Sequence, residues 1–301
     1  MSRIINAFAL SLSVVRNRAF LLVFLNGFIL ALLVYFYTED SYETQIFRAL
    51  ASQVQQTTDS NHPDSLLVSS LNLTYLLEKN RLQVFNNKEI HTLKSDLIRP
   101  VTFDLITGNG ACGSYSYVLS RILRELNVET RFAQMKVNGK FGGHITVEAK
   151  SGNKWVSLDP SYNLMFKSTN GQYASFSEIS SNWNYYKNQV PENYDQSYSY
   201  DDVQYTNWAK VPLVMPALKK FITLVKGEKA AQEFSIRNLF LRKFDVLFKI
   251  TLVIYILLTL IFLRNFRKQS EEIENFRLSL MFAKKADKIR LNQKRAEVTL
   301  A

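Results

Sequence analysis

The sequence predicts an α+β domain held between two apolar helices, and three observations carry that prediction. Two uncharged apolar runs, Ala19–Tyr37 and Ile250–Leu263, lie near the ends of the 301-residue chain. Between them, Val118, Leu119, Ile122, Leu123 and Leu126 fall on one stripe of a helix. After Leu126 the apolar period shortens to two, in segments separated by the turn sequences Asn138-Gly139 and Ser151-Gly152-Asn153. A helix followed by a meander gives a helix packed on an antiparallel sheet rather than a doubly wound one.

The first apolar run, AFLLVFLNGFILALLVYFY, has no charge and one polar side chain, Asn26. A helix of that length crosses roughly 30 Å of hydrocarbon. It is longer than a signal-peptide core and no small-x-small cleavage site follows, so an uncleaved anchor is expected. The second span is expected at residues 244–263. There Lys249 can snorkel toward the interface and pair with Asp245 four residues earlier, and Arg264, Arg267 and Lys268 close the run.

Charge distribution sets the expected topology. The formal net charge is +11, with 47% hydrophobic and 21% charged residues, which excludes a disordered chain. Residues 1–37 carry Arg3, Arg16 and Arg18 and no acid, and residues 264–301 carry ten Lys/Arg against five Asp/Glu. Basic charge beside apolar spans marks the cytoplasmic face of a bilayer. Glu39 and Asp40 follow the first span, so both termini are expected to be cytoplasmic in a two-pass protein of a bacterial inner membrane. The expected organisation is a cytoplasmic N-terminus (1–18), a transmembrane helix (19–37), an extracytoplasmic domain (38–243, core about 60–190), a second span (244–263) and a basic cytoplasmic tail (264–301). No basic-aromatic stripe points to nucleic acid.

Within the central domain, Tyr42–Gln56 and Asp64–Lys79 read as helices, and Thr107-Gly108-Asn109-Gly110 as a loop. A helix is expected over Cys112–Leu126, then strands over Glu129–Val137, His144–Ala149 and Lys154–Leu158, the last stopped by Asp159-Pro160. Ser161–Tyr205 is rich in Tyr, Asn and Ser and reads as surface loops. Val214–Val225 reads as an amphipathic helix leading back to the membrane. The tail from Ser270 is a charged helix with Ile273, Phe276 and Leu280 on one side, suited to solvent or to a membrane surface or partner.

A cysteine nucleophile needs a lowered thiol pKa, a histidine to exchange protons and a group to orient that histidine. Cys112 is the chain's one cysteine, so no intramolecular disulfide can form. It opens a helix, whose N-terminal dipole favours the thiolate. Asn109, Gly110 and Gly113 leave room for a carbonyl and offer donors to an oxyanion. His144 begins a strand after Gly142-Gly143, and Asp159 ends the next one, so adjacent antiparallel strands can set the two side by side. Taken singly, each residue is as well explained by packing or a turn; the ordered set is far more specific. His62 sits in Asn-His-Pro and His91 in a polar stretch without the cysteine or acidic spacing of a zinc site, and phosphate-loop and dinucleotide patterns are missing, so no metal and no cofactor are expected.

The stretch Gly110-Ala111-Cys112-Gly113-Ser114-Tyr115, then Asn127-Val128-Glu129-Thr130-Arg131, Gly143-His144-Ile145-Thr146-Val147-Glu148 and Trp155-Val156-Ser157-Leu158-Asp159-Pro160 resembles the bacterial transglutaminase-like superfamily. The resemblance covers roughly residues 105–165, including the intervals of 32 residues from Cys112 to His144 and 15 from His144 to Asp159. Ile145 and Thr146 stand where many relatives have an aromatic residue. The resemblance implies a papain-like fold, a Cys112–His144–Asp159 triad and acyl chemistry on a peptide or protein amide through a thioester, by hydrolysis or transfer. A non-catalytic module that binds partners in envelope or surface-polysaccharide assembly is the alternative. A cell-wall peptidase or an arylamine acetyltransferase-like enzyme uses similar chemistry, but Trp155 before Asp159-Pro160 and the two anchors favour the first resemblance.

Overall fold

A computed structural model describes residues 2–58, 64–81, 84, 90–108 and 111–299. The chain divides into two compact units, Met1–Phe36 with Leu247–Ala301, and Tyr37–Val246.

The first unit is built from the apolar parts of helix α1 (Ser2–Thr57) and helix α10 (Lys243–Thr299). Both helices are long and apolar enough to cross a bilayer, and Phe20, Phe24, Leu257 and Leu260 stand exposed along them. That is compatible with a two-pass membrane protein. Asn26 donates to the Leu22 carbonyl and accepts from the Thr259 hydroxyl at 2.9 Å. An otherwise unpaired amide on an apolar face is thereby satisfied within the helix pair. Tyr42–Gln56 is helical as expected, and its helix is continuous with the apolar run. Thr38-Glu39-Asp40-Ser41 contains neither proline nor glycine to interrupt it. For the same reason α10 runs past Leu263.

The second unit is α+β. Helices α2 (Ser65–Glu78), α3 (Leu93–Leu97), α4 (Val101–Thr107) and α5 (Cys112–Glu125) precede the sheet. Strands β1 (Thr130–Val137), β2 (Lys140–Ser151), β3 (Lys154–Asp159), β4 (Leu164–Met165) and β5 (Tyr198–Gln204) form one antiparallel sheet in the order β4-β3-β2-β1-β5. Leu119 and Leu123 of α5 pack with Val147, Ala149, Val156 and Leu158 on one face of the sheet. Val118 and Ile122, a quarter-turn round the helix, pack with Phe47, Val54 and Val101. Each of these buried Val, Leu, Ile and Phe side chains stabilises the fold by about 1.5–3 kcal/mol relative to exposure.

The segment 161–205 departs from its reading as loops. It forms β4, α6 (Phe176–Ser181), α7 (Trp183–Tyr186) and β5. Its aromatics bury against Ala133 and Met135 on the other face of the sheet: Phe166, Phe176, Tyr186, Tyr194 and Tyr200 are all core residues. Their tilted, edge-on and stacked ring contacts, such as Phe166–Tyr200 at 5.4 Å, show no period in sequence. Downstream, α8 (Val214–Lys226) and α9 (Glu228–Glu233) lead to α10. Helix α8 is amphipathic as expected, and it leaves Val214, Phe221, Leu224 and Val225 exposed.

Candidate active site

Cys112 opens α5, directly after Ala111, whose φ of 45° and ψ of −128° is a strained conformation for a residue with a Cβ. Two serines of α5 hold the helix start in place. Ser114 Oγ donates to Asp104 Oδ1 at 2.9 Å, and Ser116 Oγ donates to the Ile145 carbonyl at 2.9 Å. The nucleophile candidate is thus tied both to α4 and to the strand that carries His144. A Cβ built on Gly113 meets nothing within 4 Å, so the side of the helix next to the sulfur is open. Asn109 and Gly110 lie outside the described residues, as does His62.

His144 follows a local break in the ladder. Met135 pairs with His144, but Lys136 pairs with Phe141, so Gly142 and Gly143 bulge out of register. Gly143 permits this because a Cβ there would lie 2.5 Å from Val137 Cβ. Along β2 and β3, Val147 faces Leu158. Continuing that register puts Asp159 opposite Thr146, which makes His144 and Asp159 diagonal neighbours on one face, within reach of long side chains. His144 Nε2 and Asp159 Oδ2 are 2.7 Å apart, and both side chains are about 1% exposed. Asp159 Oδ1 accepts from the Ser161 N–H at 3.1 Å, which fixes the carboxylate.

Nδ1 of His144 points away from Asp159 and, among the described residues, has no hydrogen-bond partner of full geometry. Cys112 is the other group that acts on this ring, and the two titrations are coupled. Burial pushes the Cys112 thiol up, but interaction with the His144 ring and an Ile145 backbone hydrogen bond outweigh it, so the thiol titrates below its ordinary value. Burial pushes His144 down, while the charge and hydrogen bond of Asp159, aided by Cys112, bring it up to about 9. The arrangement favours a thiolate beside an imidazolium.

The sulfur lines a cleft of about 370 Å³, together with Arg99, Asp104, Gly113, Ser114, Tyr117, Gly142, Ile145, Arg237 and Lys243. Asp104 is 3% exposed and paired with Arg99 at 3.1 Å. On the sheet face that carries His144, Arg131 is sandwiched between Trp155 and Tyr205, at 4.3 and 4.1 Å, and its Nε donates to Glu148 at 2.8 Å. Glu148 also accepts from Tyr205 Oη and the Phe176 N–H. The Arg, Glu and Trp of the motif therefore knit β1, β2 and β3 to the aromatic segment.

Sequence reasoning did not single out Tyr198, Arg237 or Lys243. Each reaches the site from a distant part of the chain, with no local spacing to announce it. Among the described residues, no three His, Cys, Asp or Glu side chains are grouped to hold a metal.

No curated protein and no solved structure gives a significant match to the chain. A family model for the transglutaminase-like superfamily matches residues 75–160, the stretch from the end of α2 to the residue after Asp159. The helix–meander unit that carries Cys112, His144 and Asp159 is therefore a transglutaminase-like superfamily domain.

Proposed function

We propose that this chain is a membrane-anchored cysteine enzyme that acts on amide bonds through a thioester, with Cys112 as nucleophile, His144 as proton carrier and Asp159 as its orienting carboxylate. The observation that carries the reading is one imidazole held at 2.7 Å by a buried carboxylate while it lowers the pKa of the sulfur at a helix N-terminus.

The chemistry follows from those positions. The Cys112 thiolate attacks the amide carbonyl, and the oxyanion forms near the first N–H groups of α5, which have no helical carbonyl partner. His144, charged at neutral pH, gives its proton to the departing amine as the C–N bond breaks. The neutral ring then takes a proton from water or an acceptor amine, which attacks the thioester and releases the sulfur. Asp159 keeps Nε2 protonated, so that Nδ1 faces the reacting atoms. The substrate is an amide of a peptide or protein.

The apolar parts of α1 and α10 anchor the domain in a bilayer, with both termini on the cytoplasmic side and residues 38–243 outside. Arg16 and Arg18 before the first span, with Glu39 and Asp40 after it, support that orientation, while basic residues flank the second span on both sides.

With a single cysteine in the chain, iodoacetamide labelling of the full-length protein reports Cys112 alone. Labelling at pH 7 is expected to be fast, and His144→Ala is expected to slow it by roughly ten- to a hundredfold, as a thiol returns toward its ordinary pKa. Equal rates in the two proteins would overturn the assignment and leave the partner-binding module of envelope or polysaccharide assembly as the better reading.

A further inference from the structure

The cleft beside Cys112 has a charge imbalance that the triad does not use. Of its three cations, Arg99 is neutralised by Asp104, through contacts of 3.2 Å from Nε and 3.1 Å from the terminal nitrogen. Among the described residues the other two have no carboxylate within ion-pairing distance, although Asp104 and Glu43 act on Lys243 from farther off. Arg237, in the 3-10 turn Ile236–Phe240, donates to the phenol oxygen of Tyr117 at 3.2 Å. Lys243, at the start of α10, donates to the Arg99 carbonyl and lies 5.8 Å from the Tyr117 ring centroid. Among the described residues neither forms an ion pair, although both are half-buried.

Placing two cations on one wall of a partly desolvated cleft costs free energy unless an anion fills it. Burial already pushes Lys243 below its ordinary value, Asp104 partly offsets this and Arg99 adds to it. An elongated aromatic, Tyr117, contacts both cations by its ring and its hydroxyl, and packs in turn at a tilt against Phe132 at 4.9 Å. The cations are therefore positioned side chains, not loose surface charges. Both lie outside residues 75–160, the stretch that the family model matches.

We propose that the Cys112 cleft selects acyl substrates bearing an anionic group, a carboxylate or a phosphate, beside the scissile amide, with Arg237 and Lys243 as the residues that receive it. This rests on Cys112 being the nucleophile. A neutral carbonyl enters next to open Gly113, and the anion replaces the missing carboxylate partner of the two cations.

Iodoacetate and iodoacetamide differ by little more than one charge, and both react by one step: the thiolate attacks the methylene carbon, the C–S bond forms and iodide leaves with the C–I electron pair. The ratio of the two rate constants on one protein cancels any general change in thiol reactivity. In full-length protein the iodoacetate-to-iodoacetamide ratio is expected to exceed that of free cysteine. It is expected to fall by roughly threefold in Arg237→Gln or Lys243→Gln and by about tenfold in the double variant, the scale of charge interactions in a solvent-reached cleft. Arg237→Lys should restore most of the ratio, and raised salt should lower it in the parent more than in the double variant. Rapid labelling with the same ratio in parent and Gln variants would overturn the anionic selectivity and leave the nucleophile assignment standing. Slow labelling by both reagents would overturn the nucleophile, and the selectivity with it.

Discussion

The phenol ring of Tyr198 lies flat against the imidazole of His144, with centroids 4.1 Å apart and planes 12° from parallel. Tyr198 starts β5 and pairs with Val137, and Tyr162 meets the same imidazole edge-on at 6.2 Å. A π face over a ring that becomes an imidazolium stabilises its charged form by about 0.5–2 kcal/mol. Loss of that face should weaken the imidazolium and raise the thiol pKa with it. In Tyr198→Ala the pH profile of Cys112 alkylation is expected to move to higher pH by roughly half to one unit. Tyr198→Phe keeps the face and should keep the profile. An unchanged profile in Tyr198→Ala would show that the ring serves packing only.

The His144–Asp159 pair makes a stability prediction whose sign can be worked out. Folding raises His144 from 6.5 to about 9, mainly against burial and through Asp159. The folded state therefore holds a proton that the unfolded state releases between those values. The stabilisation is complete below about pH 6.5 and fades as pH rises through about 9. Cys112 titrates in the opposite sense, so the measurement belongs in Cys112→Ser, which removes the coupled thiol. Its thermal midpoint is expected to decline between pH 7 and 10, and Cys112→Ser with His144→Gln should show a flatter profile. Parallel profiles would sink the claim that the pair stabilises the fold in its charged form.

The parts of this molecule legible in sequence are those fixed by neighbours along the chain. Helix α5 starts at Cys112 as expected because Gly108 ends α4 in the left-handed region and the Leu119–Leu123 stripe begins soon after. The hairpins turn at Asn138-Gly139 and Ser151-Gly152-Asn153 because residues there take positive φ, as at Asn138, Gly139 and Gly152. His144 and Asp159 meet because period-two strands in that register leave them one diagonal apart. What was illegible depends on long-range pairing. β5 joins β1 across more than sixty residues, and a Tyr-rich segment has the composition of a loop until its rings find Phe166 and Met135. Arg237 and Lys243 line the cleft beside Cys112 through contacts with Tyr117 and Arg99 that no local pattern records.

Gly143 and Val137 test whether the bulge before His144 is required. A Cβ at Gly143 would sit 2.5 Å from both Cβ and Cγ2 of Val137, and a β-branched side chain has little freedom to yield. Gly143→Ala is expected to destabilise the domain by about 1–3 kcal/mol, as overpacking does, and to slow Cys112 alkylation by shifting His144. Val137→Ala in the same chain opens the space. The double variant should then recover most of both losses, a coupling expected only for residues in contact. Simple addition of the two single effects, measured by thermal melts and labelling rates, would count against the clash as the cause.

Glu78, at the end of α2, supplies the last prediction. Its side chain is fully buried, and among the described residues neither carboxyl oxygen has a hydrogen-bond partner. Burial and then the nearby Asp104 push its pKa up to about 8, with Arg81 opposing. The unfolded state ionises near 4.5, so between those values unfolding releases a proton and the folded state grows less stable as pH rises. Glu78→Gln has nearly the same shape and no charge to ionise. It is expected to stabilise the protein, by an increment that grows from about pH 4.5 to about 8 and then levels off at a few kcal/mol. The gain should be read as the difference between parent and variant thermal midpoints across that range. A variant less stable than the parent at pH 8 would show that the carboxylate is charged and paired in the folded protein. Asp104, which also holds Ser114 at the start of α5, would then be facing that charge directly.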